Sequence, residues 1–259
     1  MANTRILYNL DTWDAATVTG SSQANTDLVP ANVLHDHVSK LWRTTGKASE
    51  NIVFDLGTAT NITVFSMFTF NLTASATVTL QANTADSWGS PAYSQALTIA
   101  TDADGNVLQR LVFFLDQTYR YWRVTFADSG NSASYLQIGR IAAGTYYEPP
   151  RNINQNFTIT MYDPSEGDRV AGRQTFFRNR NRYRRAAVRF ELQNQTQTDK
   201  LDAIMTKVGN SKPVVLALDP TNRPSKDSMY CYLETPLSLA HQFIGQYSTA
   251  QLVFEEKTE

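Results

Sequence analysis

The chain has 259 residues, of which 42% are hydrophobic and 18% charged. That length admits one large domain or two ordinary ones, and the composition is that of a globular protein rather than a disordered or collagen-like one. A formal net charge of −1 argues against a general polyanion binder, and a single cysteine, Cys231, excludes an intrachain disulfide framework, so the fold must rest on packing.

The charge is unevenly spread. Residues 1–148 carry 8 Lys/Arg against 12 Asp/Glu, whereas residues 149–259 carry 15 against 12. Such asymmetry fits two domains with different surroundings. Met1–Arg5 is not followed by an apolar leader, and no apolar run approaches the roughly 18 residues of a membrane-spanning helix. The expectation is a chain made and soluble in a cytoplasm, without membrane insertion, in which the sequons at Asn61 and Asn71 carry little weight.

Taken in chain order, the first fifty residues are polar and irregular. They hold apolar islands at Ile6–Tyr8 and Ala15–Val18, a turn at Gly20–Ser22 and one helical turn at Pro30–Asp36. Strands are predicted at Asn51–Leu56, Ile62–Phe68, Ala76–Ala82, Gln95–Ala100, Arg110–Leu115, Arg120–Phe126 and Tyr135–Ile141. Gly57, Trp88–Pro91 and Asp102–Asn106 punctuate them. Seven or so short strands with polar turns predict a β-sandwich or barrel. Pro149-Pro150 cannot lie inside a central strand, which puts a domain boundary at 148/149. Beyond it, Phe157–Met161, Arg185–Leu192, Lys212–Leu218, Met229–Leu233, Leu237–Ile244 and Ala250–Phe254 read as strands. Leu201, Ile204, Met205 and Val208 share one face of a helix over about 198–208, stopped by Gly209-Asn210.

Catalytic chemistry is sparse. His35-Asp36-His37 offers three metal donors, but side chains at i and i+2 diverge on a helix, and zinc motifs use i, i+3 or i+4 spacing. His241 is distant. These histidines read as surface or cap residues, with no metal site. Asp102-Ala103-Asp104-Gly105-Asn106 lacks the remaining calcium ligands and the distal bidentate Glu, so it reads as a turn. Glu255-Glu256 and Glu50/Asp55 are acids that nothing in the sequence brings across one cleft. No nucleophile elbow, phosphate loop or Cys/His signature is present, and Cys231 sits in an apolar run as a buried small residue. The expectation is a protein with no catalytic residues and no cofactor, and therefore no enzyme.

Two surface features stand out. Alternation would place Arg178, Arg180, Arg182 and Arg184 on one face of an extended strand, with Arg185 adjoining, and guanidinium groups suit carboxylates and phosphates. The segment reads as an assembly arm docking on an acidic neighbour. A solvated strand face and a DNA contact are the alternatives, and the near-neutral total charge argues against nucleic acid. Trp88 and Tyr93, in turns of the first half, are candidates for stacking on a sugar. Trp42 and Trp122 read as core aromatics, and Arg123 as a residue on the opposite face from Trp122 or paired with an acid.

Val38-Ser39-Lys40-Leu41-Trp42-Arg43-Thr44-Thr45-Gly46, Asn51–Gly57, Ile62-Thr63-Val64 and Tyr119–Phe126 make the first half resemble discoidin-like (galactose-binding-like) domains. The likeness spans about 110 residues and speaks to fold more than to ligand, because one fold hosts many functions. It leaves calcium open, since some discoidin-like lectins use it. Val188–Leu192, the helix through Asp199–Val208, Lys212–Pro220 and Leu252–Glu256 make the second half resemble the tube-forming β-domain of phage distal tail proteins. Together the resemblances imply a mainly β chain, with a discoidin-like jelly-roll β-sandwich at 1–148 and a β-barrel-like tail-tube domain with one helix at 149–259. They imply a structural protein of a long-tailed phage virion, at the tail tip. It would form a homo-oligomeric ring, hexamer or trimer, that joins the tail tube to the baseplate hub near the tape-measure protein. The alternative is a carbohydrate-binding adhesin module contacting host-surface glycans.

Overall fold

The computed structural model describes residues 2–154, 156–169, 172–191, 193–243 and 245–258, with the backbone alone at 241–243. Leu192, Ile244 and the His241 side chain, all named above, lie outside that description. The chain is mainly β and divides into two units, one of residues 1–148 with 214–229 and one of residues 149–213 with 230–259.

The strands of the first 148 residues are β1 (Arg5–Leu7), β2 (Thr17–Gly20), β3 (Trp42–Arg43), β4 (Glu50–Phe70), β5 (Thr77–Asn83), β6 (Tyr93–Leu97), β7 (Arg110–Ala127) and β8 (Gln137–Gly144). A short helix, α1 (Asp11–Asp14), lies between β1 and β2. The main sheet runs β3-β8-β4-β7-β5-β6, with β2 beside β4. In the first half of β4, Ile52, Phe54 and Leu56 are buried while Asn51, Val53 and Asp55 are less so, the period of two that a sheet with one covered face requires.

The sequence predicts two strands where β4 is one, and two more where β7 is one. Gly57, at φ +75°, lets the chain bulge without leaving the sheet. β4 and β7 pair from Glu50↔Phe126 to Phe68↔Arg110, with register shifts between Asp55 and Thr60 and between Ile62 and Val64. Before the shifts β4 lies beside β2; after them it lies beside β8. Bulges bend and twist a strand pair, so the sheet folds over into a sandwich. Trp13, Trp42, Phe54, Phe65, Trp122 and Phe126 fill its core. Trp42 and Trp122 are thus core residues, as their strand contexts imply.

The remaining strands are β9 (Thr158–Tyr162), β10 (Glu166–Arg169), β11 (Thr175–Arg178), β12 (Tyr183–Val188), β13 (Gln193–Asn194), β14 (Val214–Ala217), β15 (Ser228–Leu233), β16 (Leu239–Phe243), β17 (Gln246–Thr249) and β18 (Leu252–Glu256). β14 pairs with β1, Arg5 opposite Ala217 and Leu7 opposite Val215. Ser225 accepts from Arg110 Nε through its carbonyl at 3.0 Å and from the Val112 amide through Oγ at 3.1 Å. A single cut at 148/149 therefore does not describe residues 214–229. Their ladder and loop bonds tie them to the first unit although they follow the helix of the second.

In the second unit β12 pairs with β9 on one side and β18 on the other, and β18 pairs with β15. β13, β17 and β16 form a three-stranded sheet, and β10 with β11 a two-stranded hairpin. The helix α2 (Gln195–Val208) starts three residues before the expected 198. Asn194 caps it, and Gln197 completes a capping box with the Asn194 amide. Its buried face is Thr198 with Leu201, Ile204, Met205 and Val208, the last four being those read from the sequence. Among the described residues no barrel closes, because β9 has a neighbour on one side only. No helix there is long and apolar enough to cross a membrane.

Candidate functional site

The outward face of the first unit's sheet gathers the side chains best suited to recognition. In β7, Trp122, Val124 and Phe126 point into the core, so Tyr121, Arg123 and Thr125 point out. Cross-strand register sets their neighbours. Val53 and Gln81 flank Arg123, and Asp55 and Asn83 flank Tyr121. Ser94 of β6 stands opposite Gln81.

Arg123 donates from Nε and Nη2 to Gln81 Oε1, at 2.8 and 2.6 Å. Its guanidinium lies 4.6 Å from the ring centroid of Trp88, a cation–π contact. The Trp88 indole N–H donates to Asp86 Oδ1 at 2.7 Å. The loop that carries Trp88 is thus pinned onto the sheet face, while residues 84–87 and 89–90 around it are exposed.

One row along, Arg120 clamps Asp55 with Nε to Oδ1 at 2.7 Å and Nη2 to Oδ2 at 2.8 Å. The Arg120 guanidinium lies 4.8 Å from the Tyr121 ring. These guanidinium bonds, with the Gly57 amide, hold the Asp55 carboxyl down to about 2, so it is ionised throughout the neutral range. The face therefore presents two aromatic rings, Trp88 and Tyr121, beside two guanidinium groups, a carboxylate and carboxamides. Such a set can stack on an apolar ring face and exchange hydrogen bonds with hydroxyls. It holds no paired general acid and base.

Trp88 belongs to this face; Tyr93 does not. Tyr93 stands opposite buried Ala82, its ring centroid is 6.4 Å from that of core Trp122, and burial pushes its phenol up. Of the two aromatics expected on the surface, only Trp88 lies on this face, because strand register turns Tyr93 inward. The alternation over 119–126 sets Arg123 apart from Trp122, but no sequence signal marks Arg123, Gln81, Tyr121 or Arg120 as contacts.

The arginine segment does not form one basic row. Residues 179–182 leave the strand between β11 and β12. Arg180 reaches Glu166 at 3.5 Å, Arg182 reaches Asp163 at 2.9 Å, and Arg184 is buried against Glu256 at 2.6 Å. Arg185 bridges Glu255 and Glu234, at 2.5 and 2.9 Å. Arg178 ends β11 opposite Glu166. Carboxylates of the same unit thus take up four of the five guanidinium groups. Glu255 and Glu256, the adjacent acids, are engaged in the same way. Cys231 is buried in β15.

The His35 and His37 rings stack at 5.2 Å, and the His37 amide donates to His35 Nδ1 at 3.1 Å. The amide bond engages His35 Nδ1, and burial and Lys40 lower the His35 pKa. Asp102 accepts from the Asp104 and Asn106 amides and from the Asn106 side chain, which closes the loop as an Asx turn.

No protein-family model matches this sequence, and no curated protein matches it. Solved structures do. Chitosan-binding module 1 of a chitosanase/glucanase from Paenibacillus sp. IK-5 is 18% identical, with 50% of this chain and 95% of that one covered at a TM-score of 0.39. The Clostridium perfringens module CpGH89CBM32-5, in complex with GalNAc-β-1,3-galactose, is 10% identical over 52% and 99%, with a TM-score of 0.40. A Ruminococcus gnavus GH29 fucosidase is 20% identical over 54% of this chain, which spans 27% of the enzyme, with a TM-score of 0.43.

Proposed function

We propose that the first unit is a non-catalytic saccharide-binding sandwich, with Trp88 as the stacking platform and Arg123, Gln81, Tyr121 and the Arg120–Asp55 pair as polar contacts. One observation carries the reading: Trp88 is locked over a guanidinium that Gln81 already orients, on an open sheet face. Preorganised aromatic and guanidinium groups bind with little further ordering cost. Host-surface glycans are the ligand class this reading favours. A glycan array probed with the full chain tests it, followed by titration of any bound saccharide against Trp88→Ala. That substitution is expected to weaken binding by roughly tenfold or more, as loss of a central tryptophan usually does, with an unchanged circular dichroism spectrum. An empty array, or binding by Trp88→Ala and Arg123→Ala as tight as by the natural chain, would refute it.

A second reading makes the chain a structural subunit of a phage tail tip, ring-forming and in contact with tail tube, tape-measure and hub proteins. The observation that favours it is the apolar surface of the second unit, where Met161, Phe176 and Phe177 are each 60% exposed or more. Surfaces of this kind mark protein contacts. Labelling the chain in intact virions tests this reading; absence from the tail would end it. The two readings are compatible, since a tail tip can display a sandwich that binds glycans.

A further inference from the structure

We infer that β9 is a self-pairing edge through which two copies of this chain join their second-unit sheets across a two-fold axis. The inference concerns the second unit, stands whether or not the first binds a saccharide, and competes with the closed ring of the second reading above.

Among the described residues β9 pairs only with β12, and all five of its residues are exposed. An unprotected edge invites another strand, and proteins normally guard such edges with charge, proline or a covering loop. Thr158-Ile159-Thr160-Met161-Tyr162 carries neither charge nor proline. Register identifies the face involved: Ile159 and Met161 stand opposite Ala186 and Arg184, which β12 buries. The two side chains thus continue the covered face of the sheet past the point where its cover ends.

The edge is self-complementary. An antiparallel pair centred on Thr160 sets Ile159 of each copy opposite Met161 of the other and Thr158 opposite Tyr162, with no like charges facing. The β10–β11 hairpin enlarges the contact. It leaves β9 after Asp163–Ser165, and its return stretch is anchored there, Arg182 to Asp163 and the Arg180 amide to Ser165 Oγ. In the paired arrangement the Tyr162 end of one copy lies at the Phe157 end of the other, so each hairpin rises beside the partner's Phe157. A two-stranded ribbon is marginal alone in water, and this one exposes Phe176 by 61% and Phe177 by 68%.

Phe157, Ile159, Met161, Tyr162, Phe176 and Phe177 are between 39% and 68% exposed. At roughly 200 Å² per large side chain, those fractions leave about 1,200 Å² of exposed surface on two copies, so a pairing that covers most of it reaches the ~1,000 Å² that specific interfaces bury.

The test uses the full chain. Sedimentation equilibrium at micromolar concentration is expected to give twice the chain mass, and Met161→Asp to give the single-chain mass with an unchanged circular dichroism spectrum. Thr160→Cys is the register test. The axis brings residue 160 opposite itself, at the ~4.5–5.5 Å between Cα atoms that a disulfide spans, so oxidation is expected to link most of the protein covalently. Thr158→Cys, ~13 Å from its own copy along the strand, is expected to stay unlinked. A chain that remains single, a closed ring of three or six, or equal linking at 158 and 160 would each overturn the two-fold edge.

Discussion

Replacing Glu256 with alanine is expected to destabilise the second unit by about 3–5 kcal/mol, the range measured when one partner of a buried ion pair is removed. Arg184 and Glu256 retain 7% and 14% of their side-chain exposure. The carboxylate accepts from Arg184 Nε at 2.9 Å, Nη2 at 2.6 Å and the Arg184 amide at 3.1 Å. Truncation takes the counter-charge and two bonds from the guanidinium, and a third from the Arg184 amide, with little water to replace them. Arg182→Ala is the contrast. Its guanidinium is 69% exposed beside a 44% exposed Asp163, where pairs are worth about 0–1 kcal/mol. The double replacement Arg184→Met with Glu256→Leu is expected to recover most of the loss, since buried charge pairs yield to packed apolar side chains. Urea unfolding followed by far-ultraviolet circular dichroism measures all three. A Glu256→Ala loss below about 1 kcal/mol would mean that water reaches the pair. Arg184 and Arg185 are thus fasteners of the sheet, and an arm docking on a neighbour would have to work through Arg178, Arg180 and Arg182.

How much of this was legible in the sequence depended on whether local pattern or long-range pairing decided the outcome. The alternation in 50–56 and 119–126 fixes which residues enter the sandwich core, because a half-covered strand enforces it. The helix was readable from Leu201, Ile204, Met205 and Val208, though its start was read late: the capping box at Asn194 and Gln197 precedes the apolar face. The β1–β14 pairing was not readable. It joins residues more than two hundred positions apart, and no local signal tells a strand which partner it will find. The arginine run misled for a related reason. Spacing shows which like charges are neighbours in sequence but not which carboxylates fold back onto them, and Asp163, Glu166, Glu234, Glu255 and Glu256 lie up to seventy-odd residues away. In the candidate site, the turn position of Trp88 was informative. The inward turn of Tyr93 depended on its register opposite Ala82, which composition does not reveal.

The Asp14–Arg140 pair is expected to give the first unit an unusual dependence on pH. Arg140 is wholly buried in β8, and its Nη2 donates to both Asp14 carboxylate oxygens at 2.7 and 3.0 Å, while Nη1 donates to the Val33 carbonyl at 3.3 Å. Burial pushes Asp14 up to about 6; Arg140 opposes the shift, and Asp36 and Asp11 add to it. Asp14 therefore binds its proton more readily folded than unfolded. The stabilisation this supplies is fully present below the ordinary carboxylate value and is lost as pH rises through about 6. Asp14→Asn keeps an acceptor for Arg140 but removes the titration. Relative to that variant, the natural chain is expected to lose stability between pH 4 and 7 in urea unfolding series. A gain over the same interval would mean that attraction to Arg140 outweighs burial and that Asp14 is held ionised. Asp14→Ala is the severe case. It deprives a fully buried guanidinium of its carboxylate, at a cost of about 3–5 kcal/mol, a large part of the stability of most small domains. Because Asp14 lies on α1 and Arg140 on β8, that loss is expected to reach the packing of Trp13, whose indole N–H donates to the Ile141 carbonyl at 3.1 Å. Tryptophan fluorescence would then report the transition that circular dichroism follows.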